Sequence, residues 1–351
     1  MSTRVDPNFK NTLKEFGKGN WNECYHCGNC TAVCPISEDG FLFPRKGVRA
    51  IQMGLKDKLA AEVDPWLCYY CGECSETCPR EANPGELMMT LRRYLTSVYD
   101  WTGLAGIFYK SLPALIIALV VVAAAIIGVG FAKNFNTKSV MDFGHHFERI
   151  AVFTVIAIFL LPSIFRMFWY TIIKEKIKAP LRTYIRGFWL LIKHMFTQKN
   201  TLKCEQNTWR WLEHLLVVSG YILLLVTTVF LNWFSTDHSF IIYLGYFVSG
   251  LIFIFTFDFI LQRFRKKKEI SKFSHATDWL FVIWLFFIGL FAFFTRLFID
   301  TDLINQFLWL YVIHLIMLAQ WALIIVPFGK WTHFLYRPFA ILFAELKKEK
   351  I

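Results

Sequence analysis

Six long apolar segments fill most of the chain after residue 110, and they constrain its fold more than any other feature. A helix needs about 20 predominantly apolar residues to cross the hydrocarbon core of a bilayer. The segments lie at about 111–132, 148–172, 209–234, 239–262, 276–299 and 303–328. Each is long enough to span a membrane, so the sequence predicts six transmembrane helices within residues 101–351.

The composition agrees with a membrane protein. The 351 residues are 56% hydrophobic with a mean hydropathy of +0.42, which is more apolar than an ordinary globular protein. The net charge of +12 would suit either nucleic acid or a membrane. The apolar segments decide for membrane lipid, and we expect no nucleic-acid partner.

The basic residues predict the orientation of the helices. Two loops, 173–210 and 263–272, are rich in Lys and Arg, whereas 133–147 holds only Lys133 and Lys138. The positive-inside rule then puts both termini in the cytoplasm. The first 100 residues contain no long apolar run and show no signal peptide. We therefore expect a multi-pass protein of the cytoplasmic (inner) membrane with its N-terminal domain in the cytoplasm.

Eight of the nine cysteines form two copies of one motif. The copies are Cys24-x2-Cys27-x2-Cys30-x3-Cys34-Pro35 and Cys68-x2-Cys71-x2-Cys74-x3-Cys78-Pro79. This is the bacterial ferredoxin spacing for 4Fe-4S clusters, in which three cysteines wrap one face of a cube. Zinc also binds paired Cys-x2-Cys, but two full copies with their prolines favour two cubes.

The fourth cysteine of each motif ligates the other cluster in two-cluster ferredoxins. We therefore expect the first cube to be held by Cys24, Cys27, Cys30 and Cys78. The second cube would be held by Cys68, Cys71, Cys74 and Cys34. Cys204 stands alone in a basic loop and is interpreted as incidental. Disulfides are not expected, because cytoplasmic thiols stay reduced.

The whole pattern predicts an all-α protein. Residues 1–100 form a ferredoxin-type helical domain, with apolar residues at helical spacing from Pro44 to about Leu59 and again from about Gly85 to Tyr99. Residues 101–351 form the membrane domain. Between its second and third spans, large apolar residues recur at helical spacing from Leu181 to Phe196, which predicts either an interfacial helix near 180–197 or a plain linker helix.

The cysteine-rich segment resembles the C subunit of heterodisulfide reductase over about residues 20–95. The resemblance rests on the two motifs and on what lies between and after them. Those residues are Pro44-Arg45-Lys46, Gln52-Met53-Gly54, Trp66-Leu67 and Cys78-Pro79-Arg80.

Three histidines in or near the apolar segments are candidate axial ligands of haem, since ionisable side chains are costly in a membrane. His214 lies near the cytoplasmic start of the third segment. His314 lies inside the sixth segment, and His333 follows it after Pro327-Phe328. The 19 residues from His314 to His333 would rise about 28 Å in one straight helix, close to the thickness of the hydrocarbon core.

These positions resemble the gamma subunit of respiratory nitrate reductase, which holds two b haems in a similar bundle. The resemblance implies an inner haem between His214 and His333 and an outer haem at His314. The sequence departs at Leu224, where that family has a further histidine. His146 or His145, just outside the predicted second helix, could replace it, and His238 is a weaker candidate.

Chemistry beyond electron transfer has no motif in this chain. There is no Cys-Cys dipeptide, and Gly128 with Gly130 makes no dinucleotide fingerprint, because no strand precedes them and a third glycine is missing. Flavin or nicotinamide chemistry must therefore come from a partner.

Over nearly its full length the chain resembles the C subunit of the quinone-interacting membrane-bound oxidoreductase. That resemblance implies two flavin-containing partners similar to the heterodisulfide reductase A subunit, and electron delivery toward adenylylsulfate reductase. Menaquinol would be oxidised beside a haem, with Arg166, Asp258 and Arg296 as candidate headgroup contacts or as snorkelling side chains. The alternatives are a membrane anchor without haem, and a relay subunit of another heterodisulfide-reductase-like complex.

Overall fold

The computed structural model describes residues 4–37, 42–204, 208–267 and 269–350; Lys268 of the predicted basic loop lies outside them. These ranges are helical and contain no β-strand, which confirms the all-α prediction. Short helices make up the N-terminal part, hereafter the cysteine domain. Their bounds are Phe9–Lys14, Asn29–Ala32, Arg45–Gln52, Lys56–Ala60, Asp64–Leu67, Glu73–Glu76, Pro84–Tyr99 and Leu104–Lys110.

Six helices in the described ranges are long and apolar enough to cross a membrane, as predicted. In chain order, the first to sixth membrane helices are Leu112–Ala132, Thr137–Ile173, Thr208–Phe230, Ser239–Arg265, Ala276–Asp300 and Leu308–Lys347. The second begins at Thr137, earlier than expected, so His145 and His146 lie inside this helix rather than outside it. A short helix, Glu269–Lys272, joins the fourth to the fifth.

The sixth membrane helix is the centre of the bundle. Within its most apolar stretch 67% is buried in the protein, against 22–39% for the other five. It packs against the first, second and fifth helices. The helix is interrupted at Gly329, whose backbone is extended, and resumes at Thr332. The straight rise predicted between His314 and His333 is therefore wrong, because the break lies between them.

The helix Pro84–Tyr99 forms the centre of the cysteine domain. Leu87, Leu91 and Leu95 recur every four residues and are fully buried. The helix ends where the Asp100 carboxylate accepts hydrogen bonds from backbone N–H groups of the following turn. By contrast, the single helix predicted from Pro44 to Leu59 is two helices, because the chain turns between Gln52 and Lys56.

One hydrophobic core joins the cysteine domain to the last part of the sixth membrane helix. The ring of Tyr336 packs against Trp66 at 4.8 Å and against Tyr99 at 5.4 Å between ring centroids. All three side chains are almost completely buried. The predicted boundary near residue 100 is thus crossed by a continuous set of aromatic contacts.

The helix predicted between the second and third spans is Leu181–Thr197. Thr183, Leu191 and His194 are buried on the side that packs against Thr332–Lys347. On the other side Trp189 and Phe196 are exposed by 68% and 75%. A helix packed on one side and apolar on the outer side fits the predicted position at a membrane surface.

A buried ion network ties the two parts of the chain together. Arg93 of the cysteine domain contacts Glu86 at 3.2 Å and Asp278, at the start of the fifth membrane helix, at 3.0 Å. Lys330, at the break of the sixth helix, contacts the other oxygen of Asp278 at 3.0 Å. Asp278 therefore neutralises a buried cation of the cysteine domain and a partly exposed cation of the sixth membrane helix, at the joint between the two parts.

Replacing Asp278 should destabilise this joint. In Asp278→Asn, Arg93 and Lys330 lose a buried counter-charge, and we expect a loss of about 3–5 kcal/mol of stability. The measurement is thermal unfolding of the purified chain together with proteolysis of the cysteine domain. Asp237→Asn, at an exposed position, is the control. A variant no less stable than that control would contradict the structural role of the network.

Asp64 should make the cysteine domain less stable as the pH rises. Both of its carboxylate oxygens are buried without a hydrogen-bond partner. Burial, followed by the nearby charge of Glu62, raises the pKa of Asp64 to about 7. The unfolded value is about 3.9, so the folded state binds this proton more tightly. Stability from this residue is therefore highest below about pH 4 and falls as the pH rises toward 7.

Asp64→Asn should remove that pH dependence. The variant should gain stability over the parent between about pH 5.5 and 8, by on the order of 2 kcal/mol, because only the parent must ionise a buried carboxyl. Thermal unfolding at both pH values measures the gain. Asp302→Asn, at an exposed site, should show none. An equal shift in both variants would contradict this account.

Candidate iron–sulfur and haem sites

The two cysteine motifs have the same backbone conformation. Gly28 and Gly72 follow the second cysteine of each motif with φ of +89° and +98°, in the left-handed region that favours glycine. His26 and Tyr70, two residues earlier, also match each other, with φ of +59° and +58°. The loops therefore curl in the same way, as the repeated spacing predicts.

Backbone N–H groups point at sulfur atoms within these loops. The N–H of His26 donates to Sγ of Cys24 at 3.4 Å, and the N–H of Tyr70 donates to Sγ of Cys68 at 3.3 Å. Such hydrogen bonds stabilise a negatively charged thiolate, the form in which cysteine binds a metal.

Four thiols lie together in the first group, although they come from both motifs. The pKa of Cys30 is raised by burial and, in addition, by the charges of Cys24, Cys27 and Cys78. These are the four residues that we expect to hold the first cube. The arrangement brings Cys78 of the second motif beside three cysteines of the first.

The second group is the mirror case. Burial raises the pKa of Cys74, and so do the charges of Cys68, Cys71, Cys34 and, from the first group, Cys30. Burial also raises the pKa of the Cys34 thiol to about 11. Buried thiols of this kind stay protonated at neutral pH until a metal displaces the proton. We propose that these four residues hold the second cube.

The two groups differ in their surroundings. In the first, Cys27 is exposed and the neighbouring Tyr25 is 72% exposed. In the second, the backbone carbonyl of Cys68 accepts hydrogen bonds from Arg92 and, at 2.9 Å, from Arg337 of the sixth membrane helix. The first group thus lies toward the surface and the second toward the membrane part.

The structure brings His214 and His333 together. Their ring centroids are 6.3 Å apart, with 57° between the ring planes. Two imidazoles on opposite sides of one iron, with metal–nitrogen bonds of about 2 Å, put their ligating nitrogens about 4 Å apart. The spacing therefore fits one iron between the rings, as the resemblance implied.

Hydrogen bonds leave the same nitrogen available on each ring. Nδ1 of His333 donates to the Lys330 carbonyl oxygen at 2.5 Å, and Nδ1 of His214 donates to Oε1 of Gln198 at 2.5 Å. Metal-bound histidines usually hold their second nitrogen in this way, since it fixes the tautomer and the ring orientation. Both rings can thus offer a neutral Nε2 to iron.

A cavity of about 210 Å³ opens beside these rings, at the joint with the cysteine domain. His214 and His333 line it together with several cations and Asp278. The lining cations are Arg92, Arg93, Arg210, Arg263, Lys330 and Arg337. A haem carries two carboxylates, and this excess of positive charge suits them. The residues present therefore fit a b haem.

The predicted outer haem is not assembled in the same way. His314 is 1% exposed, neither ring nitrogen has a hydrogen-bond partner, and its ring contact is with Phe234 at 5.4 Å. The ring centroids of His145 and His146 are instead 6.1 Å apart. Nδ1 of His146 donates a hydrogen bond to the Asp142 carbonyl oxygen. No contact joins His314 to another histidine in the described residues.

The candidate quinone contacts are engaged within the protein. Arg166 donates to the Val98 carbonyl at 2.9 Å. Arg296 is 3% exposed and donates to Asp300 at 2.7 Å and to backbone carbonyls of the loop before the fourth helix. Asp258 accepts a hydrogen bond from Gln262, which lines the 210 Å³ cavity. Of the three, Asp258 is the one with a hydrogen-bond partner in the lining of this cavity.

Sequence reasoning missed three contributors to these sites. Arg337 lies four residues after His333, on the same helix face, and that spacing could have indicated it. His194 lies in the helix Leu181–Thr197, and Gln198 directly follows that helix. His194 is buried, and its ring centroid is 6.1 Å from that of Tyr69. Burial and the charge of Arg337 lower the pKa of His194 to about 3. No local pattern marks this contact, because it depends on how distant segments pack.

Comparison with known proteins identifies the cysteine domain. Residues 20–82 match the family of 4Fe-4S dicluster domains. The chain is 34% identical over 104 residues to a protein from Archaeoglobus profundus that is named as like the heterodisulfide reductase C subunit, covering 29% of this chain and 55% of the relative. It is 38% identical over 96 residues to the iron-sulfur C 2 subunit of the CoB–CoM heterodisulfide reductase of Methanocaldococcus jannaschii, covering 25% and 51%.

These matches establish an iron–sulfur domain similar to the C subunit of heterodisulfide reductase, as the sequence motifs indicated. The chain spans about half the length of the curated relatives it matches. No solved structure matches it.

Exchange of the fourth ligand between the motifs can be tested by pairing variants. Cys34→Ala should lose the same cube as Cys71→Ala, and Cys78→Ala the same cube as Cys27→Ala, because each pair would bind one cluster. Electron paramagnetic resonance of the reduced protein and iron analysis measure the remaining cube. If Cys34→Ala and Cys27→Ala instead lose the same cube, each motif holds its own cube.

Proposed function

We propose that this chain is the membrane electron-transfer subunit of a quinol-dependent oxidoreductase complex. It oxidises menaquinol in the cytoplasmic membrane and passes the electrons through a b haem and two 4Fe-4S cubes to flavin-containing partner subunits. It is not catalytic alone, since the terminal reaction takes place on those partners.

One observation carries this proposal: a single helix serves both kinds of site. In Thr332–Lys347, His333 faces His214, and Arg337, one turn later, donates to the carbonyls of Trp66 and Cys68 at 3.0 and 2.9 Å. The haem candidate and the second cube thus share a rigid support. Electrons leaving one would have a short, packed route to the other.

The burial of the two cysteine groups supports an order of transfer. The second group lies against the membrane part, and the first has an exposed cysteine at the surface. The charge of Cys30, in the first group, adds to the raised pKa of Cys74 in the second, so the groups are neighbours. Electrons would enter at the second cube and leave from the first to a docked partner.

The residues of the chain supply positioning and charge. Gln198 and the Lys330 carbonyl hold the rings of His214 and His333 in one tautomer, and the cations of the cavity would neutralise the carboxylates of a haem bound there. A b haem held by His214 and His333 would supply one-electron chemistry, which suits the one-electron cubes. Oxidation of each quinol to quinone yields two electrons, which reduce a flavin, and two protons, which pass to water.

The partners follow from the resemblance. Two flavoproteins similar to the heterodisulfide reductase A subunit would receive the electrons, and adenylylsulfate reductase is the proposed acceptor beyond them. By the positive-inside rule, the basic loops support a cytoplasmic position for the cysteine domain and both termini, on the side where soluble partners could dock.

A second candidate is a relay or anchor subunit of another heterodisulfide-reductase-like complex. The curated relatives favour it, because both are named as heterodisulfide reductase C subunits or as similar to them. Co-purification separates the two functions. Flavoproteins would favour the first, and a catalytic subunit with Cys-Cys motifs the second.

Haem content tests the proposal directly. The purified chain should show a b-type band in the reduced-minus-oxidised spectrum, and His214→Ala and His333→Ala should each lose the same haem, because the two rings share one iron. Asp237→Asn, at an exposed site that is no candidate ligand, is the control. A menaquinol analogue should reduce this haem and then the cubes.

The same difference spectra give the number of haems in the chain. Two haems in the parent, with one lost in both His314→Ala and His146→Ala, would support the outer site. One haem that neither variant affects would limit the chain to the inner site. A parent chain without any b-type band would overturn the quinol-oxidising function.

A further inference from the structure

The ninth cysteine is not incidental to the iron–sulfur sites. Cys204 follows the turn Lys199–Lys203 in the membrane part, 126 residues after Cys78 in the chain, and is 6% exposed. It lines one cavity with Cys34, Cys68, Cys71 and Cys74. Its thiol lies within hydrogen-bonding distance of the Cys71 thiol. The second group therefore contains five thiols.

Four thiolates complete the ligands of a cube, one for each iron. Cys34, Cys68, Cys71 and Cys74 already match the ferredoxin spacing, so the fifth thiol is left with its proton. A metal-bound thiolate can only accept a hydrogen bond, whereas a neutral thiol can donate one. The contact between Cys204 and Cys71 then has one direction, from the S–H of Cys204 to the sulfur of Cys71.

We propose that Cys204 donates a hydrogen bond to the Cys71 ligand of the second cube and thereby raises the reduction potential of that cube. This rests on the proposed assignment of the second cube. Hydrogen bonds to ligand sulfurs are among the determinants of cluster potential. Reduction adds one electron and no proton, so the cube becomes more negative, and a donor stabilises the reduced form more than the oxidised form.

The position of Cys204 makes this contact a property of the joined protein. The same turn begins at Gln198, whose Oε1 accepts a hydrogen bond from Nδ1 of His214. Thus one short segment touches both the proposed haem ligand and the proposed second cube. The membrane part would set the potential of the first centre that receives its electrons, and the cysteine domain alone would lack this effect.

Redox titration of the full chain, followed by electron paramagnetic resonance, tests the proposal. In Cys204→Ala the second cube should become harder to reduce, with its equilibrium constant for reduction lowered about tenfold, the size expected for a hydrogen bond to a charged group. Tenfold corresponds to about 59 mV for a one-electron couple. Cys204→Ser should restore most of the potential, because its hydroxyl also donates.

Two controls accompany the variants. The first cube should keep its potential in both, since Cys204 contacts only the second group among the described cysteines. Leu202→Ala, in the same turn, should leave both potentials unchanged. Iron content shows whether both cubes are present.

Three results would overturn the inference. Unchanged potentials in Cys204→Ala, with both cubes present, would show that the contact has no effect. Loss of the second cube in Cys204→Ala and in Cys204→Ser would make Cys204 a ligand instead of a donor. An equal shift in Leu202→Ala would assign the effect to the turn. A parent chain without cubes would instead refute the assignment of the clusters.

Discussion

The joint between the cysteine domain and the membrane part depends on neutralising buried charge. Asp278 stands between Arg93 and Lys330, one cation from each side, with distances of 3.0 Å to both. Breaking a buried ion pair leaves an uncompensated charge that costs several kcal/mol, so such a network tolerates few arrangements. It fixes the helix Pro84–Tyr99 against the fifth and sixth membrane helices and gives the two parts one relative orientation.

That fixed orientation is what a relay requires. Arg337 reaches the carbonyl of Cys68 from the helix that carries His333, and Tyr336 beside it packs on Trp66. The proposed haem and the proposed second cube are thereby held by one packed unit rather than by a loop. At the other end of the proposed electron path, Cys27 is exposed, so the proposed first cube lies at the protein surface.

Local patterns predicted the parts, and tertiary packing determined how they meet. The apolar runs and the cysteine spacing led to the six helices and the two matching loops, since both depend on neighbouring residues. The second membrane helix begins earlier than predicted because polar residues such as Asp142 and His145 still join its first turns. The pairing of His214 with His333 was expected from the sequence and from a family resemblance. The places of Asp278 and Cys204 had no sequence signal, because each contacts residues far away in the chain.

The helix Leu181–Thr197 has a mechanical consequence. Its outer side chains, including Trp189 and Phe196, would insert into the interfacial region of one leaflet. Its inner side packs against the helix that carries His333. An interfacial helix of this kind would fix the distance between the membrane surface and the cysteine domain attached to it. The first cube would then stand at a constant elevation above the lipid, and a soluble protein would have to approach at that level, parallel to the bilayer.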